Sequence, residues 1–221
     1  VFTFRPQNIL YETKAKYGGP GSIAAIASPD SSVEDNWMLK VFLRDFVGSE
    51  KLFGVDFKAD GEEDDFLIRG DKTANRKGLN LLGINTDKEY FWSEISSGKV
   101  KLLLIMNNDL FGEIDEEQEK LLASVEKIIC FSPHQNKTVE KSELAIPVSL
   151  YSEKNGSIVN FAGRLQKFEK AFDSFERNGS SALPEWEIFA GLINSKYPSR
   201  SYEDLEDVWQ EISKNLSVFS G

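Results

Sequence analysis

A chain of 221 residues with 40% hydrophobic and 28% charged side chains has room for one large folded unit, or one unit with an appendage, and lacks the bias of a disordered tail. Its 26 Lys and Arg against 36 Asp and Glu leave a net charge of −10, which argues against nucleic acid or an anionic lipid face as partner, since both require a basic footprint. With one Cys (Cys130) and one His (His134), the chain excludes an internal disulfide and any cysteine-built iron–sulfur or zinc site of its own, and such low cysteine use fits a reducing, cytoplasmic compartment.

Residues 9–17 read as a helix stopped by Gly18-Gly19-Pro20. Ser22–Ala27 is a short buried strand, and Ser28-Pro29-Asp30-Ser31-Ser32 is turn chemistry with several possible helix caps. A helix follows over 33–47, with Val33, Trp37 and Val41 on one stripe and Gly48 as its terminator. Lys51–Phe57 reads as a second strand, completing a unit of βαβ size. Residues 58–65 form a charged turn, 65–82 short helices and loops, and 86–96 a helix ending at Gly98.

Val100–Met106 is almost continuously apolar, the pattern of a strand buried on both faces of a parallel sheet. It is also the longest apolar stretch, far below the roughly 20 residues that span a bilayer, so no direct membrane insertion is expected. Residues 115–127 read as a helix with acids in its first turn and Lys127 at its end. Residues 128–131 form a strand, 138–144 a helix and 146–150 a further strand. Asn155-Gly156 reads as a tight turn, 157–161 as a strand and Gly163 as a second turn. The alternation predicts an α/β fold, a parallel sheet with helices on both faces, followed by C-terminal helices over 184–216. The expected division is an α/β domain at 1–172, a linker at 173–183 and a helical segment at 184–221.

In open α/β sheets ligands bind outside the carboxyl ends of the strands. Ser28 and its turn could cradle a phosphate or be a plain capped turn; neither a P-loop nor a dinucleotide glycine fingerprint is present. Asn107, Asn108 and Asp109 could contact a nucleotide or cap the next helix. Arg164 could bind a phosphate or form a structural ion pair. Cys130 reads as a buried core thiol and the acids 62–65 as a solvated turn. No nucleophile–base pairing and no calcium-loop spacing are present, so no catalytic residue and no metal ligand are assigned. The Ser28–Ser32 turn, the Asn107–Asp109 turn and the Glu153–Arg164 excursion are expected to meet at one sheet edge. There Asp30, Glu34, Asp35 and Asp109, answered only by Arg164, would repel a diphosphate.

Several segments together resemble the molybdopterin oxidoreductase superfamily. They are Ile26-Ala27-Ser28-Pro29 through Glu34-Asp35-Asn36 to Gly48, Asp64-Asp65-Phe66-Leu67-Ile68-Arg69 through Asn75 to Gly78, Gly98-Lys99-Val100-Lys101 running to Asn107-Asn108-Asp109, and Pro147 through Glu153-Lys154-Asn155-Gly156-Ser157 to Gly163-Arg164-Leu165-Gln166. The 64–78 segment is most similar to the C-terminal region of the large iron–sulfur (G) subunit of bacterial NADH–quinone oxidoreductase, respiratory complex I. Ser49-Glu50-Lys51-Leu52, Asn108-Asp109 and Ala162 depart from the superfamily's Thr-Asn-Asn, Asn-Pro and Glu at the matching places, which weakens the case for a bound cofactor.

The resemblance implies a cofactor-free structural domain of a redox subunit on the cytoplasmic face of the membrane. Iron–sulfur clusters would lie in a missing upstream region, and the partners would be the other subunits of a respiratory complex. It leaves two alternatives: part of an active molybdenum or tungsten oxidoreductase such as a formate dehydrogenase, holding molybdopterin guanine dinucleotide, or a generic nucleotide-binding α/β module. A start at Val1 rather than Met is the pattern expected of an excised fragment.

Overall fold

A computed structural model describes residues 4–58, 61–176 and 181–219. Five parallel strands, β1 (Ile23–Ile26), β2 (Leu52–Phe53), β3 (Leu102–Met106), β4 (Lys127–Ser132) and β5 (Leu144–Pro147), form one sheet in the order β2-β1-β3-β4-β5. The register sets Ile23 beside Leu102, Leu102 beside Lys127 and Ile129 beside Leu144. Every residue of β1 and β3 is buried, as a sheet covered on both faces requires.

Alternation with period two divides those strands between two cores. Ile23, Ala25, Leu102, Leu104 and Met106 face one core. It is filled by α1 (Phe4–Lys16), α2 (Val33–Val41), α3 (Arg76–Leu81), α8 (Glu185–Lys196) and α9 (Leu205–Asn215). Ala24, Ile26, Leu103 and Ile105 face the other, against Phe91 and Ile95 of α4 (Lys88–Ser96) and Leu110 and Phe111 of α5 (Leu110–Glu113). The C-terminal helices share the first core outright: Phe189 packs on Phe42 and Phe131 with ring centres 5.2 and 5.0 Å apart.

Several boundaries differ from the sequence expectation, each for a tertiary reason. The 33–47 helix is α-helical only to Val41 and then widens into a π-turn over Phe42–Val47, which Gly48 ends at φ 84°. The strand expected over 51–57 is two residues long, because Gly54 N donates to Asn85 O (2.7 Å) and the chain leaves the sheet. The 115–127 helix is shortened to α6 (Glu116–Leu121), since Glu126 and Lys127 donate to Lys101 O (2.9 and 3.0 Å) and start β4. Residues 138–144 keep only α7 (Lys137–Lys141), because Glu143 N donates to Ile128 O (2.9 Å) and draws Leu144 into β5.

Asn155-Gly156 is not a turn. Gly156 opens β6 (Gly156–Val159), which pairs antiparallel with β7 (Leu165–Phe168), an unanticipated strand. A side chain at Gly156 could not fit, since its Cβ would lie 2.9 Å from Ser32 Cβ and 2.7 Å from the Phe168 ring. The hairpin turns instead at 160–164, where Asn160 Oδ1 accepts from Ala162 N and Arg164 N at 3.0 Å each. In the 173–183 stretch, Ser149 N donates to Leu183 O (3.0 Å) beside a parallel bridge between Val148 and Leu183. Residues 177–180 of that stretch, and 59–60 of the charged turn, lie outside the described residues.

Candidate functional site

Because the strands run parallel, the turns after β1, β3 and β4 leave the sheet on one side and enclose a cavity of about 330 Å³. Ser28, Asn107, Asn108 and Asp109 line it together. The joint between the first two turns is built from hydrogen bonds. Ser28 Oγ donates to Asn107 O (2.7 Å) and accepts from Asp30 N (3.1 Å). The buried Asn36 side chain accepts from Ser28 N (3.1 Å) and donates to the carbonyls of Ser28, Ser31 and Ser32 (2.9, 3.2 and 2.8 Å). Asn75 clamps the same turn from outside, donating to Ser31 O and accepting from Val159 N at 2.8 Å each.

Asn107 takes a left-handed backbone, φ 43°, which asparagine tolerates better than most residues. That bend lets Asn107 N extend the ladder to Phe131 O (2.7 Å) while its side chain donates to Ser31 Oγ (3.3 Å). Asn108 donates to Val55 O (3.2 Å). The Asp109 carboxylate accepts from Thr138 N (3.0 Å) and Thr138 Oγ1 (2.9 Å). All four side chains therefore already hold partners within the protein.

Arg164 is elsewhere. It is exposed at the hairpin turn and is not among the residues lining the cavity. The cations that do line it are Lys58, which sequence reasoning passed over, and Lys154, which it quoted in the Glu153–Arg164 excursion without assigning it a role. Lys58 sits 2.5 Å from Asp30. Asp56 and Glu113 add to the acidic lining, with Asp56 paired to Arg76 at 2.9 Å.

Glu34 and Asp35, expected at the crevice, are buried behind it instead. Asp35 reciprocally caps α2 with Ser32 and accepts from Trp186 N (3.0 Å). Lys154 Nζ bonds Asp35 at 2.7 Å and also Glu185, with side-chain exposures of 4% for Lys154, 0% for Asp35 and 1% for Glu185. Burial alone would raise Asp35, but the charge and hydrogen bond of Lys154 overcome it and hold the carboxyl below its ordinary value. Glu185 goes the other way: burial, then the neighbouring Asp35 charge, push it up to about 7 despite Lys154. Glu34 is raised by burial and accepts from Ser157 N and Oγ (2.9 Å each) and from Trp209 Nε1 (2.8 Å). Lys154 lies 119 residues from Asp35 and 31 from Glu185, so no local spacing could have announced this cluster.

Cys130 is a buried core thiol, pushed up to about 12 by burial and by the charge of Asp109, which makes it a poor nucleophile. Among the described residues no three His, Cys, Asp or Glu side chains are grouped to hold a metal ion. What the arrangement offers is a polar, acid-lined crevice whose walls are held by their own hydrogen bonds.

Residues 70–195, more than half of the chain, match the family model described as molybdopterin oxidoreductase. The chain belongs to that family. Its five-stranded parallel sheet with helices is consistent with the molybdopterin oxidoreductase-like fold. Among curated proteins it is 28% identical over 159 residues to the G subunit of NADH-quinone oxidoreductase from Buchnera aphidicola subsp. Baizongia pistaciae, covering 70% of this chain and 17% of the relative. It is 25% identical over 150 residues to the protein of the same name from Buchnera aphidicola subsp. Acyrthosiphon pisum, covering 66% of this chain and 16% of the relative. It is 24% identical over 127 residues to the alpha subunit of F420-dependent formate dehydrogenase 2 from Methanococcus maripaludis, covering 56% of this chain and 18% of the relative. The chain thus spans about a sixth of the length of these relatives.

Proposed function

We propose that this chain is a cofactor-free structural domain within the large iron–sulfur subunit of an NADH–quinone oxidoreductase. The observation that carries the reading is the electrostatics of the crevice. A pterin guanine dinucleotide brings a diphosphate, which wants free cations or unengaged backbone N–H groups. Here the lining acids are Asp30, Asp56, Asp109 and Glu113, Lys58 is held by Asp30, and the Lys154 ammonium is consumed by Asp35 and Glu185. Ser28 donates its hydroxyl hydrogen, and the Asn107 and Asn108 amides each donate a bond, to protein atoms. Arg164, the one cation assigned to the crevice from sequence, stands at the hairpin turn, away from the lining. These residues do not fit the group.

On this reading the fragment is not itself catalytic, and any iron–sulfur clusters belong to other parts of the parent protein. Its partners are the other subunits of a respiratory complex on the cytoplasmic face of a membrane. Among the described residues no helix is long and apolar enough to cross a membrane. We keep 173–183 as the proposed connector between the α/β body and the helical segment at 184–221. Similarity to a formate dehydrogenase subunit supports a second reading, in which the parent holds molybdenum or tungsten.

Metal analysis and extracted-pterin fluorescence on the full-length parent separate the two. Substoichiometric metal is expected; stoichiometric metal with pterin overturns the structural reading. Calorimetric titration of this chain with guanosine diphosphate should show no saturation at micromolar ligand, and saturation lost in Lys58→Ala would restore a nucleotide role.

A further inference from the structure

Away from the crevice the molecule holds an apolar tip out into water. Residues 61–70 form a finger whose neck closes through Gly61 N to Gly70 O (2.9 Å) and Asp64 N to Ile68 O (3.0 Å). Inside it the Asp64 carboxylate accepts the backbone N–H groups of Phe66, Leu67 and Ile68 at 2.9, 2.6 and 2.8 Å. Lys72 braces the base, donating to Glu62 O (3.2 Å) and to Arg69 O. Arg69 pairs with Glu63 (3.6 Å) and lies over the Phe161 ring, 5.0 Å from its centre, which ties the finger to the β6–β7 hairpin.

The backbone of the finger is thus ordered by its own hydrogen bonds, yet Phe66 is 95% exposed and Leu67 79%. Ile68, next in the chain, is 42% exposed, and Phe161, under Arg69, 71%. Nothing in the finger's internal bonding needs an aromatic or aliphatic side chain at its tip, since Asp64 engages backbone groups only. Apolar groups displayed on a preorganised support are what an interface anchor requires, because the ordering cost of binding is already met.

The charge pattern selects the partner. Glu62 and Asp65 flank the tip, exposed and with no ion pair among the described residues, whereas the Arg69 charge is answered by Glu63 and the Lys72 ammonium is bound at the neck by the carbonyls of Glu62 and Arg69. An anionic lipid surface is repelled by such flanks. A protein pocket with an apolar floor and a Lys or Arg rim complements both the tip and its flanks.

The geometry points to the 61–70 finger as a docking knob, with Phe66 and Leu67 as anchors, for a partner protein presenting an apolar pocket rimmed by basic side chains. That the partner is a neighbouring subunit rests on the structural-domain reading; the shape and charge of the pocket do not.

The test uses the parent protein in its own assembly, with a photo-crosslinking phenylalanine analogue at position 66 and, separately, the double variant Phe66→Ser, Leu67→Ser. The expected result is a crosslink to a different polypeptide, mapping to a peptide with apolar residues next to Lys or Arg. The double variant should lower co-purification of that polypeptide roughly tenfold or more, as loss of two anchors does, at an unchanged melting temperature. Asp65→Lys should lower it less. Crosslinks only to another part of the same polypeptide, only to a second copy of the chain, only to lipid or to nothing would overturn the inference, as would retention of the partner by the double variant at wild-type level. If the wild-type parent is absent from any NADH-oxidising assembly while position 66 still crosslinks to a basic-rimmed protein pocket, the structural-domain reading fails and the docking knob stands.

Discussion

Two acidic regions lie side by side at the carboxyl end of the sheet, and Lys154 belongs to both. In front is the open crevice, where Asp30, Asp109 and Glu113 meet solvent or a local donor, with the buried Asp56 at its wall paired to Arg76. Behind it is the closed cluster, where Asp35 and Glu185 share the Lys154 ammonium among buried side chains. The same charges do opposite work in the two places. Exposed acids are screened and contribute little to stability while setting which ligands are repelled. Buried acids contribute little as a satisfied set but are costly to unbalance. The buried cluster also joins three separate stretches of chain, α2, the approach to β6 and the start of α8, so it holds the walls that the crevice depends on.

The sharpest way to break this contrast is Lys154→Met. It strands two buried carboxylates and should cost about 3–5 kcal/mol in urea unfolding; a loss below about 1 kcal/mol would mean the cluster behaves like the surface. Adding Glu185→Gln to that variant should recover part of the loss. Next comes Asn36→Ala, which removes the amide serving three carbonyls of the Ser28–Ser32 turn. It should cost roughly 2–3 kcal/mol, as buried carbonyls lose their donors.

The pH dependence of stability separates the two members of the cluster. Glu185 is raised in the folded state from an ordinary 4.5 to about 7, so its contribution is complete below 4.5 and is lost as pH rises through about 7. Asp35 is depressed below its ordinary 3.8, so its contribution is present above that value and is lost as pH falls beneath it. Unfolding titrations should therefore show Glu185→Gln removing a decline between those upper limits while leaving the acid limb in place; an unchanged neutral limb contradicts the assignment. The smallest effect belongs to the crevice. Asp30→Asn breaks a half-exposed pair with Lys58 and should change stability by no more than about 0.5 kcal/mol. A larger change would show that the crevice wall carries structural load.

The sheet itself was legible from sequence because its signal is local. Val100–Met106 is apolar at every position but Lys101, and β3 lies within it. Ser32 with Asp35, and Gly48, mark the ends of their helix and turn by chemistry that operates over three or four residues. The meeting of Ser28 with Asn107–Asp109 also followed from sequence, since turns after parallel strands must emerge on one side. Element ends were harder: Leu144 and Lys127 left their expected helices because strands distant in sequence captured their backbones.

The identity of the charges was settled only in three dimensions. Arg164 looked like the crevice cation because it follows a motif-like run, yet the β6–β7 pairing carries it to the hairpin turn. Lys154 stands in the same motif-like run, but its pairing had no local mark, since its partners lie 119 and 31 residues away. Composition, periodicity and capping determined the layers and the acidic sign of this protein, because those act through neighbours along the chain. Which acids are sealed with a lysine and which face water was decided by tertiary packing, because burial and pairing of a charge depend on what folds against it.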